Sequence, residues 1–191
     1  MHRMLALVMF ALAALGESTP QFALRDTDGV LHHQDEWLKA KAVVLFFSTT
    51  DCPLSNGYIP EMNRIREIYA NRGVAFYSVQ TDTTIAETEV RQHAKDFAIS
   101  FPVLIDPRQT LTRHAGATAT PEVAVLSSMG QVLYLGRIDN RIEDFDRRRT
   151  VVTERDLQDA LDAVLAAKPV PHSRTAAVGC AINFVNEERK R

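Results

Sequence analysis

Residues 43–60 read Val43-Val44-Leu45-Phe46-Phe47-Ser48-Thr49-Thr50-Asp51-Cys52-Pro53-Leu54-Ser55-Asn56-Gly57-Tyr58-Ile59-Pro60. The stretch opens on an apolar, β-favouring run, Ala42 to Phe47, with the composition of a buried strand. Four small or acidic residues follow, Ser48 to Asp51, and then Cys52. Pro53 directly after it suits the first turn of a helix. A cysteine at that point meets unpaired backbone N–H groups and the positive end of the helix dipole. Both favour the thiolate, which is the reactive form. Pro60 falls inside the helical pattern and is expected to kink it.

Strand, short loop, cysteine at a helix start, and a proline eight residues beyond the cysteine resemble the thioredoxin active site. There the motif is C-x-x-C; here it is C-P-L-S. The resemblance puts Cys52 on the nucleophile and Ser55 on the second cysteine's position. A second landmark agrees with it. Ala119-Thr120-Pro121, followed by the apolar run Glu122–Leu126, resembles the Thr-Pro element whose cis-proline faces the active cysteine in thioredoxin folds. The resemblance implies a cis Thr120–Pro121 bond near Cys52, and a substrate-binding role for Pro53, Thr120 and Pro121.

The 191 residues are 46% hydrophobic and 24% charged, enough for one globular domain with extensions. A formal charge of −2 carries no basic excess of the kind nucleic-acid binding needs. Two cysteines, Cys52 and Cys180, make neither a disulfide scaffold nor a cysteine-rich zinc site.

Residues 1–16 combine a basic start, an apolar stretch from Met4 to Leu15 and small residues at cleavage-like positions. They read as a secretory signal peptide, too short for a comfortable membrane span. Export to the periplasm or medium is therefore expected, with membrane contact only through an uncleaved N-terminal segment. An oxidising compartment would let a disulfide persist.

The domain is expected over residues 20–168. Phe22–Leu24 and Val30–His32 flank Asp26-Thr27-Asp28-Gly29 as a hairpin. Trp37 is expected in the core. Ile59, Met62, Ile65, Ile68 and Tyr69 recur at helical spacing. Val74–Val79 reads as a strand, and Ala86–Phe97 as a helix with Val90, Ala94 and Phe97 on one face. Phe101–Ile105 is a short strand and Gln109–His114 a brief helix. Glu122–Leu126 and Val132–Gly136 are joined by a turn. Thr153 is expected to cap a last helix that turns Leu157, Leu161, Val164 and Leu165 inward. Arg137–Arg155, rich in both charges, reads as a solvated loop or a docking surface. The order is that of an α/β, thioredoxin-like fold: a central mixed sheet flanked by helices, with an N-terminal hairpin.

Residues 169–191 form a C-terminal tail carrying Val178-Gly179-Cys180-Ala181-Ile182. This G-C-x-I tail, with Asp51-Cys52-Pro53 and Ala119-Thr120-Pro121-Glu122, resembles a peroxiredoxin-like branch (redoxin, AhpC/TSA-related) of the thioredoxin-fold proteins. Many members of that branch carry another cysteine three residues before the nucleophile, where this chain has Thr49. Ser55 cannot resolve a disulfide, so Cys180 is the expected partner of Cys52.

The resemblance implies a thiol–disulfide oxidoreductase, with protein thiols or disulfides as substrate and an external thiol as donor. A second reading is a peroxidase in which Cys52 becomes a sulfenic acid captured by Cys180. Peroxiredoxins place Thr three and Pro seven residues before their cysteine. Thr49 matches the first and Leu45 departs from the second. Phe46 stands where thioredoxin has a buried acid. A non-catalytic reading is a Sco-like copper chaperone, using Cys52, with or without Cys180, and His93, His114 or His172; another is a redox-inert binding module in which the two cysteines only staple the tail. No cofactor is expected for the leading reading.

Overall fold

The computed structural model describes residues 20–186. The signal-peptide reading of residues 1–16 therefore lies outside the described residues. Among those described, no helix is long and apolar enough to cross a membrane.

A hairpin of β1 (Ala23–Arg25) and β2 (Leu31–His33) leads through a short 3-10 turn to β3 (Ala42–Ser48). Then follow α1 (Pro53–Ala70), β4 (Val74–Gln80), α2 (Glu87–Asp96), β5 (Val103–Ile105), α3 (Thr110–Ala115) and β6 (Ala119–Thr120). The chain continues with β7 (Glu122–Leu126), β8 (Val132–Gly136), a small hairpin of β9 (Ile142–Asp144) and β10 (Arg147–Arg148), α4 (Asp156–Leu165) and β11 (Cys180–Ala181).

The main sheet runs in the order β5-β4-β3-β7-β8. Strands β3, β4 and β5 are parallel, whereas β7 and β8 run antiparallel to their neighbours. This is the mixed, helix-flanked sheet expected of a thioredoxin-like fold. Every residue of β3 is buried, because the central strand has one apolar layer on each face. Val44 and Phe46 pack with α1 and α4, while Val43, Leu45 and Phe47 pack with Trp37, Leu111 and Leu135. A strand buried on both faces reads as a continuous apolar run rather than an alternating one.

The N-terminal hairpin is tied to the far edge of this sheet. Thr27 donates its N–H to the Val103 carbonyl, and Asp26 bridges to Leu104. Asp26 also holds the His32 ring, whose other nitrogen meets Glu36.

Four local expectations change. Ile68 and Phe97 lie on their helices' outer margins, 42% and 41% exposed, and Phe97 stacks on His93 rather than entering the core. Thr153 does not cap α4, which starts after Arg155. Its N–H and hydroxyl are instead taken by the Asn140 side chain at 3.0 and 2.7 Å. The Arg137–Arg155 segment is not a simple solvated loop. Ile138, Asp139, Asn140 and Ile142 are buried in it, and Tyr58 of α1 donates to Asp139 at 2.6 Å.

Candidate active site

Cys52 caps the N-terminus of α1 in an extended conformation (φ −88°, ψ 108°), with Pro53 in the first turn. Its carbonyl accepts from the Asn56 N–H at 3.0 Å and its own N–H donates to Thr49 at 3.2 Å. The loop is thereby fixed at the C-terminal end of the central strand. Proline suits this first turn because its missing N–H would have no helical partner there.

The Thr120–Pro121 peptide bond is cis. The Thr120 carbonyl stands 3.0 Å from the Cys52 sulfur, so the two proline landmarks meet as expected. On the other side of the sulfur is Cys180, with the two Sγ atoms 2.6 Å apart and both cysteines free. A disulfide needs about 2.05 Å, so oxidation requires only a small closing movement.

Cys180 reaches this point on β11, which pairs antiparallel with β6 in the register Cys180–Thr120 and Ala181–Ala119. The tail thus supplies the strand that covers the cis-proline edge. Gly179 makes this possible, since a Cβ there would run into the Thr120 carbonyl.

Polar anchors hold the tail before and after Cys180. Upstream, Leu135 exchanges backbone hydrogen bonds with Ser173 and Thr175. The Thr175 hydroxyl meets Tyr134 at 2.6 Å and accepts from the Arg137 N–H at 3.1 Å. Downstream, Ile182 donates to Thr118. Gln109 bridges Asn183 and Val185, and Arg113 donates to the Val185 carbonyl while lying over the Phe184 ring. Gln, Arg, Tyr and Thr outside any motif carry no signal of a partner so distant in the chain.

Ser55, on the position of thioredoxin's second cysteine, is fully buried. Its hydroxyl and that of Thr120 are buried and have no hydrogen-bond partner. The Thr49 hydroxyl accepts from the Gln80 side-chain amide at 3.5 Å, and its carbonyl accepts from the Cys52 N–H. Asp51 beside the nucleophile is exposed, so solvent screens its charge. Leu45 and Phe46 are fully buried in β3 and offer no polar group.

The electrostatics separate the two sulfurs. Burial opposes ionisation of Cys52, which is only 1% exposed. The Cys180 S–H, the Ser55 N–H and hydroxyl, and Thr120 outweigh that cost and hold the Cys52 thiol below its ordinary range. Cys180 moves the other way. Burial and its hydrogen bond to Cys52 push it up to about 11. Cys52 is therefore the more readily ionised of the two sulfurs, and Cys180 keeps its proton at neutral pH.

The histidines weighed for copper are dispersed. His93 contacts Asn56, His114 contacts the Gly130 carbonyl, and His172 is exposed beyond α4. Among the described residues no three His, Cys, Asp or Glu side chains form a metal-binding group.

Two outcomes follow from this geometry. Cys52 alkylation, followed against pH by peptide mass spectrometry, has its midpoint below that of an ordinary cysteine. Cys180→Ala keeps a Cβ over the site but removes the S–H donor, so the midpoint moves upward; a midpoint unmoved by this change would exclude the thiol as the stabilising donor. Gly179→Ala forces β11 away from Thr120. Alkylation of Cys180 in the reduced protein then accelerates several-fold, by analogy with the opening of any clamped segment, and an unchanged rate would show that β11 tolerates the added methyl group.

Comparison with known proteins matches this architecture. The Redoxin family model covers residues 14–152. The thiol-disulfide oxidoreductase ResA of Geobacillus thermodenitrificans is 28% identical over 62% of this chain and 67% of its own. ResA of Halalkalibacterium halodurans is 26% identical over 71% of this chain and 77% of its own. Among solved structures, a hypothetical protein of Sinorhizobium meliloti superposes with a TM-score of 0.77 at 25% identity, over 90% of this chain and 95% of that one. Peroxidoxin BcpB of Mycobacterium tuberculosis shares the fold, with a TM-score of 0.57 at 18% identity, over 80% of this chain and 96% of that one. A cysteine at a helix start facing a cis-proline, on a mixed five-stranded sheet, belongs to a chain that is a distant relative of thiol-disulfide oxidoreductases and a member of the Redoxin family.

Proposed function

We propose that this protein is a thiol–disulfide oxidoreductase that cycles Cys52 and Cys180 between dithiol and disulfide. The observation that carries the reading is the 2.6 Å approach of the two sulfurs on the cis-proline edge. Cys52 is the nucleophile, Cys180 the resolving cysteine, and the substrate a protein disulfide.

In the reduced protein the Cys52 thiolate attacks one sulfur of the substrate disulfide. The substrate S–S bond breaks, its other sulfur leaves as a thiolate and takes a proton, and a Cys52–substrate mixed disulfide forms. Because Cys52 is buried beneath the tail, β11 lifts to admit the substrate and then returns. Cys180 loses its proton and attacks Cys52, releasing the second substrate thiol and closing the Cys52–Cys180 bond. Two electrons pass from the dithiol to the substrate, and an external thiol restores the reduced state. Ser55 and Thr120 hydroxyls steady the Cys52 thiolate at each stage where it is free. Pro53, Thr120 and Pro121 frame the edge on which the substrate strand lies.

Peroxide reduction is the second reading, with Cys52 sulfenic acid condensing with Cys180 and releasing water. One observation weighs against it: position 45, where peroxiredoxins place a proline, is an apolar leucine in mid-strand. Insulin-disulfide reduction and peroxide consumption separate the two. The wild type reduces insulin disulfides and Cys52→Ser abolishes the activity; rapid peroxide turnover with inert insulin would reverse the order.

We also propose that the chain is exported, on the basic start and apolar run of residues 1–16. Intact mass of the protein from the host's periplasm or medium is expected to show a start after residues 13–16. A cytoplasmic protein beginning at Met1 would refute export.

A further inference from the structure

The oxidised protein has to be reduced again, and the tail decides where the donor attacks. Cys52 is 1% exposed, covered by Cys180 and flanked by the Thr120 carbonyl. Cys180 is partly exposed on the outer side of the pair. In the dithiol state β11 is held only by hydrogen bonds and packing, so it can lift. In the disulfide state the tail is also pinned through Cys180 itself. The anchors at Thr175 upstream and at Asn183 and Val185 downstream keep the rest of it seated. Oxidation therefore holds down the strand that covers Cys52 and leaves Cys180 as the more exposed sulfur.

We propose that an external thiol reduces the oxidised protein by attacking Cys180, so that the donor's mixed disulfide forms on the tail cysteine and not on Cys52. This rests on the reading of Cys52 and Cys180 as a redox pair. It makes Cys180 the docking point for the donor as well as the resolving residue for the substrate.

The donor thiolate attacks the Cys180 sulfur along the S–S axis from the solvent side. The Cys52–Cys180 bond breaks and Cys52 departs as a thiolate, into the Ser55 N–H and the hydroxyls of Ser55 and Thr120. A second donor thiolate then attacks the donor sulfur of the mixed disulfide. A donor disulfide leaves, and Cys180 departs as a thiolate and takes a proton. Two donor thiols are oxidised and one protein disulfide is reduced. Exchange runs faster when the departing thiol is the more acidic one, and faster still when the attacked sulfur is accessible. Both conditions select Cys180 for attack and Cys52 for departure.

The test uses the oxidised full chain and one equivalent of reduced glutathione, too little to resolve the adduct by a second attack. Samples quenched with acid at increasing times are alkylated and peptide-mapped. Glutathione is expected on Cys180 with Cys52 alkylated, in at least about tenfold excess over the reverse at the earliest times. Slow internal transfer of glutathione to Cys52 afterwards is compatible with this. Glutathione on Cys52 from the first time point would overturn the inference while leaving the redox pair intact. Starting protein without a Cys52–Cys180 disulfide, established by mapping before glutathione is added, would overturn the redox pair and the inference together.

Discussion

The antiparallel pairing of β11 with β6 is the contact on which the site depends. It sets Cys180 opposite Thr120, and Thr120 is the residue whose carbonyl already touches the Cys52 sulfur. Two backbone segments and two side chains thus meet at one point. The Thr120 carbonyl, next to the cis Thr120–Pro121 bond, faces the site, and the absence of a Cβ at Gly179 lets the tail approach that carbonyl closely. Any side chain at position 179 would push β11 outward and carry Cys180 away from its partner. The site is therefore a strand-pairing event first and a pair of cysteines second.

That arrangement explains how a buried cysteine remains reactive. Removing a thiolate from water is unfavourable, and Cys52 has almost no exposed surface. The compensation is local and comes from four groups. The Ser55 N–H is available because it belongs to the first turn of α1, whose amides lack helical acceptors. The Ser55 and Thr120 hydroxyls are free for it because nothing else in the interior claims them. The Cys180 S–H completes the set. A serine at position 55 is thus more than a missing cysteine. It contributes a hydrogen-bond donor where a second thiol would compete for the proton.

Much of this was legible in the chain, for reasons that differ from feature to feature. Cys52-Pro53 at a strand-to-helix junction and Thr120-Pro121 before an apolar strand are local signals, because proline restricts the backbone wherever it stands. The approach of the tail to Cys52 followed from there being only two cysteines. The anchors that hold the tail were not legible, since Gln109, Arg113, Tyr134 and Thr175 are ordinary polar residues whose partners lie far away in sequence. Helical spacing put Ile68 and Phe97 on apolar faces but could not say where each face leaves the core. Thr153 matched a capping position, yet Asn140 offered it two hydrogen bonds and the helix began later. The charge-rich segment hid a buried Asp139 because composition cannot register a single Tyr58 donor from another helix.

The long separation of the two cysteines sets up an opposition that a C-x-x-C pair does not face. Closing so long a loop would stabilise the oxidised fold by roughly 4–5 kcal/mol in the chain-entropy account. By linkage, the fold favours the disulfide by as much as the disulfide favours the fold. The hydrogen bonds to the Cys52 thiolate act in the opposite sense, since they stabilise only the reduced state. The tail's own anchors belong to neither side, because β11 is seated in the dithiol form without a covalent bond. They raise the local concentration of one sulfur at the other and so speed closure, while Ser55, Thr120 and the thiolate oppose it. Changes at the anchors would therefore alter how fast the pair closes, whereas changes at Ser55 or Thr120 would alter how readily the closed pair is opened.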